Sequence, residues 1–580
     1  MTRLSDALDR MTAADIHDWA DISALLAELQ VSPTTPGPDW NTFRNAISGG
    51  IAFLTFDFGI DGVSIEIAKY AKALEGLFPE HKDNLIHVIG GDFHPQADSV
   101  LQPGWKRYHI PGINGWSKWD GGTWFAGLYY EEMPAGSPES QALAKEIMRQ
   151  ALRIAEQLGS YIERNNIALL IPVNVHSNPG NLALALASVI VTEILDMAVI
   201  NSNHDFYWEG GKPAHERTEG EPPGVRDHFF RNVENEDFFA LLARLYPWKS
   251  PRWLQVNINR LQSNRLVESF GFSQRDVAEL STSISDSFLK PYTKDDVRYA
   301  RVRMGHILSD GQTELHSTAI QDHLANLSTW MKDQRPCVLG AREGLRVDPE
   351  SPALLILLQP TRVIARKRIE KDVHLVQALL GHPPFRTSFE TNNALQIILH
   401  ITGPTPIEHQ ADLEVVLQAF YDLLQSLPSD VAERLFLTFS VGTEKHPCFE
   451  EKGFEPLTIE TIYHIASAVV FPSQTEGRGL PIVEASASRI PLICSMYEPE
   501  EVFADVVGEG LPEELRIRYT LFPEEDFSQS FLDDVTRLLL HPGDIQERLD
   551  HNYLAVRSRY RTEAMTRAFD ALMRTLWEKM

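Results

Sequence analysis

The stretch from Ala468 to Ser495 narrows the fold of this chain more than any other segment. It opens with an apolar run, AVVFPS, that is typical of a buried parallel strand. A glycine-rich turn, TEGRGLP, follows, and LPIVEASAS then predicts the opening of a helix. A helix that starts directly after such a strand points unpaired N–H groups and the positive end of its dipole into the crevice at the strand's end, where phosphates bind well. The segment therefore predicts an α/β fold with an anion site at this turn.

Two carboxylates flank the turn, because Glu476 and Glu484 are eight residues apart. Glu476 is expected to face the crevice, and Glu484 follows about two turns later at roughly 3.6 residues per turn. One carboxylate can then reach a sugar and the other a ribose, while Gly477 and Gly479 let the backbone approach a ligand closely. The alternative is an ordinary strand, turn and helix with two solvated glutamates.

The same segment resembles the signature of family 4 glycosyltransferases, which have the two-lobed GT-B fold. The residues in register with that signature are Pro472, Ser473, Glu476, Gly479, Leu480, Glu484 and Ala485. The resemblance implies that Glu476 binds hydroxyls of the transferred sugar and that Glu484 binds the ribose. It also implies that the backbone at Gly479 and Leu480 meets the diphosphate. Arg478 departs from the family, because a bulky apolar residue is common just before that glycine.

A second motif lies about a hundred residues earlier, where the apolar strand Ala353 to Val363 leads into a basic segment. The family places an arginine just after this strand and a lysine five residues later, and Arg362 and Lys367 match that spacing. Both are expected to bind the donor's diphosphate. Fixed cations there stabilise the transition state, because the leaving diphosphate gains negative charge as the glycosidic bond breaks. Arg368 stands where a small residue is often found. Solvated basic residues in a loop are the alternative.

The N-terminal half carries two further elements of the resemblance. A strand, a glycine-containing loop and an amphipathic helix run from Ile51 to Leu77, and Gly62 and Val63 match the family loop that approaches the donor phosphate. A later strand ends at His204 and Asp205, which resemble the family's His-Asp element. The resemblance makes His204 the catalytic candidate beside the anomeric carbon and puts Asp205 on the acceptor side.

The acceptor side is predicted from an aromatic loop and from a second histidine. The loop between Ile110 and Met133 contains Asn114, Trp116 and Trp119, and such aromatic faces with polar neighbours commonly bind sugars. Two predicted strands flank a helix here, and His204 ends the second of them. His176 ends the first strand in the same way and is expected to border the acceptor site. The alternatives are aromatic residues that pack against the lobe and a structural histidine. The string HDFYWE further resembles a subset of the family that acts on small soluble acceptors and includes mannosylglucosylglycerate synthases.

The sequence predicts an α/β chain of the GT-B type, with two Rossmann-like lobes whose parallel sheets face a central cleft. Its expected parts are residues 1–48, an N-terminal extension of two short helices and a Pro-rich link; 49–308, an N-terminal Rossmann-like lobe on the acceptor side; 309–352, an inserted helix and linker; 353–544, a C-terminal Rossmann-like lobe that binds the nucleotide-sugar donor; and 545–580, C-terminal helices that pack back on both lobes.

Composition limits the partners and the compartment. The formal net charge of -27 argues against nucleic acid as a general partner, because a phosphate backbone would be repelled. Three widely separated cysteines, Cys337, Cys448 and Cys494, form no zinc pattern and predict no disulfide framework, which suits a cytoplasmic location. No apolar run approaches the roughly twenty residues that span a bilayer, so no transmembrane segment is expected. A homo-oligomer is left open.

The resemblance implies a retaining glycosyltransferase that moves glucose or mannose from a UDP-, GDP- or ADP-hexose to a hydroxyl of a small soluble acceptor such as a sugar or a glycosylglycerate. In the family picture the departing diphosphate oxygen accepts the acceptor's proton, so positioning and electrostatics replace covalent catalysis. No cofactor or metal is expected, because Arg362, Lys367 and a helix N-terminus supply positive charge. The alternatives are a phosphorylase on the same fold, an epimerase of sugar nucleotides, and a catalytically inactive binding or scaffold protein.

Overall fold

The computed structural model describes residues 3–30, 37–59, 61–116, 118–119, 123–405, 409–440 and 447–580. Residues 31–36 of the predicted Pro-rich link lie outside the described residues. The chain forms two compact units. The first unit comprises Met1–Ser283 and Thr562–Met580, and the second unit comprises Ile284–Arg561.

The first unit is built on a parallel sheet of seven strands. The described strands of the unit, seven in this sheet and two in a smaller one, are β1 (Ile51–Leu54), β2 (Asp57–Phe58), β3 (Ile86–Gly90), β4 (Asp92–Phe93), β5 (Lys106–His109), β6 (Leu169–Pro172), β7 (Ala198–Asn203), β8 (Trp253–Asn257) and β9 (Val277–Glu279). The sheet order is β5-β3-β1-β6-β7-β8-β9, and β2 pairs with β4 in a small separate sheet. The chain order reverses between β1 and β6, which is where open α/β sheets bind ligands beside the strands' carboxyl ends.

Helices cover this sheet. They are α1 (Arg3–Ala13), α2 (Trp19–Leu29), α3 (Trp40–Ile47), α4 (Gly62–Leu77), α5 (Lys82–Leu85), α6 (Thr123–Tyr129), α7 (Pro138–Arg164), α8 (Leu182–Ile194), α9 (Glu236–Leu245) and α10 (Arg260–Ser269). The N-terminal segment, predicted as an extension of two helices, contributes three helices to the first unit. Leu4, Trp19 and Leu26 of α1 and α2 are buried in the same apolar cluster as α7 and α8, because their amphipathic faces need a partner surface.

The second unit has a sheet of eight strands. Its strands, with a separate pair formed by β10 and β13, are β10 (Leu315–His316), β11 (Thr318–Ala319), β12 (Cys337–Gly340), β13 (Arg346–Val347), β14 (Leu354–Gln359), β15 (Gln396–Ile401), β16 (Leu435–Phe439), β17 (Ala468–Phe471), β18 (Leu492–Cys494) and β19 (Thr520–Leu521). The sheet order is β11-β12-β16-β15-β14-β17-β18-β19, and among the described strands of this eight-stranded sheet only β12 and β16 pair antiparallel. The chain order reverses between β14 and β17.

The helices of the second unit flank that sheet. They are α11 (Lys294–Leu308), α12 (Ile320–Ala325), α13 (Leu327–Trp330), α14 (Glu370–Gly381), α15 (Pro383–Thr391), α16 (Gln410–Ser426), α17 (Ser429–Ala432), α18 (Cys448–Lys452), α19 (Ile459–Ile465), α20 (Leu480–Ala487), α21 (Glu500–Val507), α22 (Gln529–Leu540) and α23 (Gln546–Tyr560). The boundary between the units differs from the predicted one, because residues 284–308 belong to the second unit. Residues 309–352, predicted as an inserted helix and linker, contain the short helices α12 and α13 and in addition supply β11 and β12 to the sheet edge. These strands are too short to show an apolar period in the sequence.

The last helix returns to the first unit. This helix, α24 (Thr562–Lys579), packs on α4, where the Phe569 and Tyr70 rings meet with centroids 5.3 Å apart. The Lys579 ammonium lies 2.9 Å from the Asp276 carboxylate, and both side chains are largely buried. No helix among the described residues combines the length and apolar composition needed to cross a membrane. The predicted α/β class with two Rossmann-like lobes is confirmed.

Candidate active site

In the second unit, the two predicted motifs meet at the point where the sheet order reverses. Arg362 and Lys367 follow β14, and Glu476 follows its neighbour β17. The carboxyl ends of two parallel neighbours lie at the same sheet edge, so loops that are 109 residues apart in sequence come together. The structure thus brings the cationic loop and the first glutamate into one site.

Lys367 and Glu476 form an ion pair in which both side chains are mostly buried. Arg366 also approaches this carboxylate at 3.8 Å and donates to the Thr475 carbonyl at 2.6 Å. Burial lowers the pKa of Lys367, and the Glu476 carboxylate offsets part of that shift. Arg362 is exposed and has no hydrogen-bond or ion-pair partner within the part of the chain that the structure describes. The site therefore offers one buried, paired cation and one cation open to an anion.

Arg368 anchors the cationic loop. Its backbone is left-handed, with φ 50°, and its guanidinium donates to the Pro472 carbonyl at 2.9 Å and to Glu524 at 2.9 Å. Lys371 donates to the Glu524 carbonyl at 2.8 Å. A small residue could make none of these side-chain contacts, so Arg368 ties the loop after β14 to the ends of β17 and β19.

The start of α20 carries the second glutamate. Gly479 has φ 57°, and a Cβ there would lie 2.2 Å from the Tyr497 hydroxyl oxygen, so only glycine fits. Leu480 is the first residue of the helix that Gly479 begins. Glu484 lies four residues after Leu480, about one turn along the helix. Its carboxylate accepts a hydrogen bond from the buried Tyr463 hydroxyl at 2.7 Å. This contact holds the carboxylate in place. Tyr463 was not predicted, because no fixed spacing links it to Glu484.

In the first unit, the glycine loop between β1 and α4 is closed by a helix cap. The Asp61 carboxylate accepts hydrogen bonds from the N–H groups of Val63 (2.9 Å) and Ser64 (3.0 Å). The N–H of Val63, a residue of the loop predicted to approach the donor phosphate, therefore already has a partner. Gly62 differs, because a Cβ placed there meets no atom within 4 Å and its φ is not positive. Neither packing nor backbone angle within the described part of this loop requires glycine at 62.

We expect Gly62→Ala to leave folding intact and to impair catalysis. Alanine is a better helix residue than glycine by roughly 0.5–1 kcal/mol, so the melting temperature should stay the same or rise. If a donor phosphate approaches the loop here, the added methyl group should raise KM for the donor. Thermal unfolding and steady-state kinetics check both parts, and Gly104→Ala, where a Cβ also meets nothing within 4 Å, is the matched control. An unchanged KM would remove Gly62 from the donor site.

His204 follows β7 directly and is partly buried. Its ring lies edge-on to the Tyr70 ring with centroids 6.5 Å apart, and its Nε2 is 3.4 Å from the Ser202 hydroxyl. The Gln262 side-chain amide donates to the His204 carbonyl at 3.0 Å. Asp205 keeps an exposed carboxylate 3.4 Å from Arg226. The strand end thus presents both residues of the predicted His-Asp element.

Of the acceptor-side residues in the aromatic loop, Asn114 and Trp116 stay predictions and Trp119 is corrected. The Asn114 side-chain amide donates to the carboxylates of Asp57 (2.6 Å) and Asp92 (2.9 Å). Trp116 is exposed, and one edge of its ring contacts the Phe56 ring with centroids 5.2 Å apart. Trp119 is instead fully buried, because the loop folds it into the core against Trp124.

The prediction that His176 borders the acceptor site is also wrong, because its side chain is fully buried under α8. Its Nε2 contacts the Ser188 hydroxyl at 2.7 Å, and its Nδ1 contacts the Leu245 carbonyl at 3.0 Å. Burial lowers the pKa of His176 to about 4. These contacts give the histidine a structural role in place of the predicted acceptor-side one. Among the described residues, no three His, Cys, Asp or Glu side chains are grouped to hold a metal ion.

Comparison with known proteins agrees with the chemistry of the second unit. Residues 452–551 match the family model described as glycosyl transferases group 1. This range includes Glu476, Gly479, Leu480 and Glu484. The chain is 21% identical over 525 residues to a mannosylglucosylglycerate synthase of Thermotoga maritima, and the match covers 87% of this chain and 94% of that protein.

Solved structures with some likeness to the chain were also found. A glycosyltransferase from Rickettsia africae aligns with a TM-score of 0.48 and 11% identity, over 92% of this chain and 99% of that chain. Anabaena HepE in complex with UDP and glucose aligns with a TM-score of 0.48 and 11% identity, over 91% of this chain and 99% of that chain.

Proposed function

We propose, from the match of residues 452–551 to group 1 glycosyl transferases, that the chain is a retaining hexosyltransferase. It moves glucose or mannose from a nucleotide-sugar donor to a hydroxyl of a small soluble acceptor. One observation carries the proposal: Lys367 and Glu476, from motifs 109 residues apart, form an ion pair at the reversal of the sheet order. Cations for a diphosphate and a carboxylate for a sugar are therefore adjacent.

The proposed reaction exchanges one bond at the anomeric carbon. The acceptor oxygen bonds to this carbon on the face that the diphosphate leaves, and the bond to the diphosphate oxygen breaks. The acceptor's proton passes to a departing phosphate oxygen. Arg362 and Lys367 stabilise the charge that develops on the leaving group, and Glu476 orients the sugar through its hydroxyls. We propose that the chain needs no metal or cofactor, since these cations and the start of α20 neutralise the diphosphate.

The acceptor class rests on three supports. The similar Thermotoga maritima protein is named for a product that contains glycerate and two sugars, and the HDFYWE string at 204–209 is the element that resembles such enzymes. The exposed Trp116 and the polar Asn114 side chain offer a sugar-binding surface in the first unit. We therefore propose a sugar or a glycosylglycerate as the acceptor. A cytoplasmic location stays part of the proposal.

The test is a turnover screen. Glucose and mannose donors with UDP, GDP or ADP are each incubated with glycerate, glucosylglycerate and free sugars, and nucleotide release is measured. Proton NMR of the product then gives its anomeric configuration, and retention of the donor's configuration is expected. Inversion would refute the retaining mechanism. Turnover that requires inorganic phosphate and releases no nucleotide would favour the phosphorylase, and no turnover at all would favour the inactive binding protein.

Glu484→Ala should weaken nucleotide binding. A hydrogen bond to a charged group is worth about 1.5–3 kcal/mol, which predicts a loss of at least tenfold in affinity for the nucleoside diphosphate, measured by calorimetry. Glu501→Ala, which removes a carboxylate from the start of α21 in the same unit, is the control and should leave Kd unchanged. Equal affinities for wild type and Glu484→Ala would show that this carboxylate does not hold the ribose.

A further inference from the structure

Asn174 has a strained backbone beside the His-Asp element formed by His204 and Asp205. It follows β6 by two residues, is buried, and has φ 63°. Left-handed angles are uncommon for residues other than glycine, although asparagine tolerates them better than most. Its N–H donates to the Ser202 carbonyl of the neighbouring strand β7 at 2.9 Å. The strained residue therefore lies just after β6, where the chain runs beside the end of β7.

The Asn174 side chain binds the backbone of the His-Asp element. Its Oδ1 accepts hydrogen bonds from the N–H groups of His204 (3.2 Å) and Asp205 (3.1 Å). The same oxygen accepts from the Ser177 hydroxyl at 2.7 Å. The two N–H groups lie just beyond the last residue of β7, so the sheet no longer supplies their partners. One buried carbonyl oxygen replaces the missing strand partner for both residues.

The other side of His204 is held as well. Gln262 of α10 donates its side-chain amide to the His204 carbonyl at 3.0 Å and to the Glu209 carboxylate at 3.1 Å. The N–H and the carbonyl of His204 are therefore both bound by side chains from other elements. Asn174 is the member of this pair that also fixes Asp205.

We propose that Asn174 is a positioning residue that fixes the backbone of His204 and thereby aims the imidazole. The inference rests on the proposed function and on the family resemblance, which makes His204 the catalytic candidate beside the anomeric carbon. The left-handed angle of Asn174 brings its Oδ1 within hydrogen-bond distance of the two N–H groups. The residue contacts the reaction only through His204.

Three substitutions separate the hydrogen bonds from the backbone strain. Asn174→Gly relieves the strain and removes the acceptor oxygen. Asn174→Asp keeps an acceptor oxygen and tolerates the left-handed angle. Asn166→Ala is the matched control, because Asn166 is also left-handed, with φ 52°, but is exposed and has no hydrogen bond from its side chain to the His-Asp element.

Two readouts decide the proposal. We expect Asn174→Gly to lower kcat by about tenfold or more, since about 1.4 kcal/mol of lost transition-state stabilisation is a factor of ten, with the nucleotide Kd unchanged. Asn174→Asp should recover most of kcat, and Asn166→Ala should keep it. Independently of turnover, modification of His204 by diethyl pyrocarbonate, followed by peptide mass spectrometry, should speed up severalfold in Asn174→Gly alone.

The two readouts also distinguish this inference from the proposed function. Wild type that turns over while Asn174→Gly matches it in kcat and in His204 modification rate would overturn the positioning role. If wild type turns over no nucleotide sugar, the proposed function fails, and the His204 modification rate still decides whether Asn174 holds the histidine. A loss of kcat that Asn174→Asp does not recover would also contradict the inference.

Discussion

Replacing Lys367 with alanine lowers kcat by about 100- to 1,000-fold, the range typical for removal of one preorganised group that stabilises developing negative charge. Lys367 is buried in the loop after β14, where water screens its charge poorly, so the diphosphate would lose its strongest fixed cation. Arg362 remains but is exposed and therefore better screened. Steady-state kinetics with the donor found in the turnover screen measures the effect.

Loss of folding has to be separated from loss of catalysis for this variant. Lys367→Ala leaves the mostly buried Glu476 carboxylate with Arg366 at 3.8 Å as its remaining ion-pair partner, and an uncompensated buried charge is costly. The double variant Lys367→Ala with Glu476→Gln removes that charge. Lys332→Ala, at an exposed lysine of the same unit, is the control. A folded Lys367→Ala protein with wild-type kcat would contradict the proposed role.

Replacing His204 with alanine lowers kcat by about 100-fold or more, within the range for a side chain that acts directly at the reacting centre. The histidine belongs to the first unit, whereas Arg362, Lys367 and Glu484, which are expected to bind the diphosphate and the ribose, belong to the second. We therefore expect the nucleotide Kd of His204→Ala to equal that of wild type, so the defect should appear in kcat.

His215→Ala is the control for the histidine, because His215 is exposed on a short turn of the same unit. Its kcat should match wild type. Pre-steady-state measurement of the first turnover checks that the His204 defect is in sugar transfer and not in product release. If His204→Ala weakened nucleotide binding and left kcat unchanged, His204 would have to be reassigned to the donor site.

The strands that support the site could be predicted from the sequence. The runs that form β14 and β17 are apolar and fully buried, which is the pattern of parallel strands covered on both faces. The loops after them carry Lys367 and Glu476 at the spacing of a known family, so their meeting was predictable. The Gly479 turn was predictable for the same reason, although its close contact with Tyr497 was not.

The predictions that were wrong or missing concern residues whose surroundings are set by segments distant in sequence. In the sequence, His176 follows an apolar run just as His204 does, and only the packing of α8 over it shows that it is buried. Trp119 and Trp116 are three residues apart in one aromatic loop, yet one is in the core and the other is exposed. Asn174 left no signal, because its role comes from a backbone angle and from N–H groups thirty residues away.

Nucleotide-dependent stabilisation of the wild-type protein is the sharpest test of a nucleotide-sugar site in the second unit. Thermal unfolding is followed with UDP, GDP, ADP and inorganic phosphate, each over a concentration series. A ligand that binds only the folded state adds about 2.7 kcal/mol of stability at a hundred times its Kd. The account predicts a clear rise in melting temperature with one nucleoside diphosphate and none with phosphate alone. No rise with any of the three nucleotides would contradict a nucleotide-sugar site in the second unit.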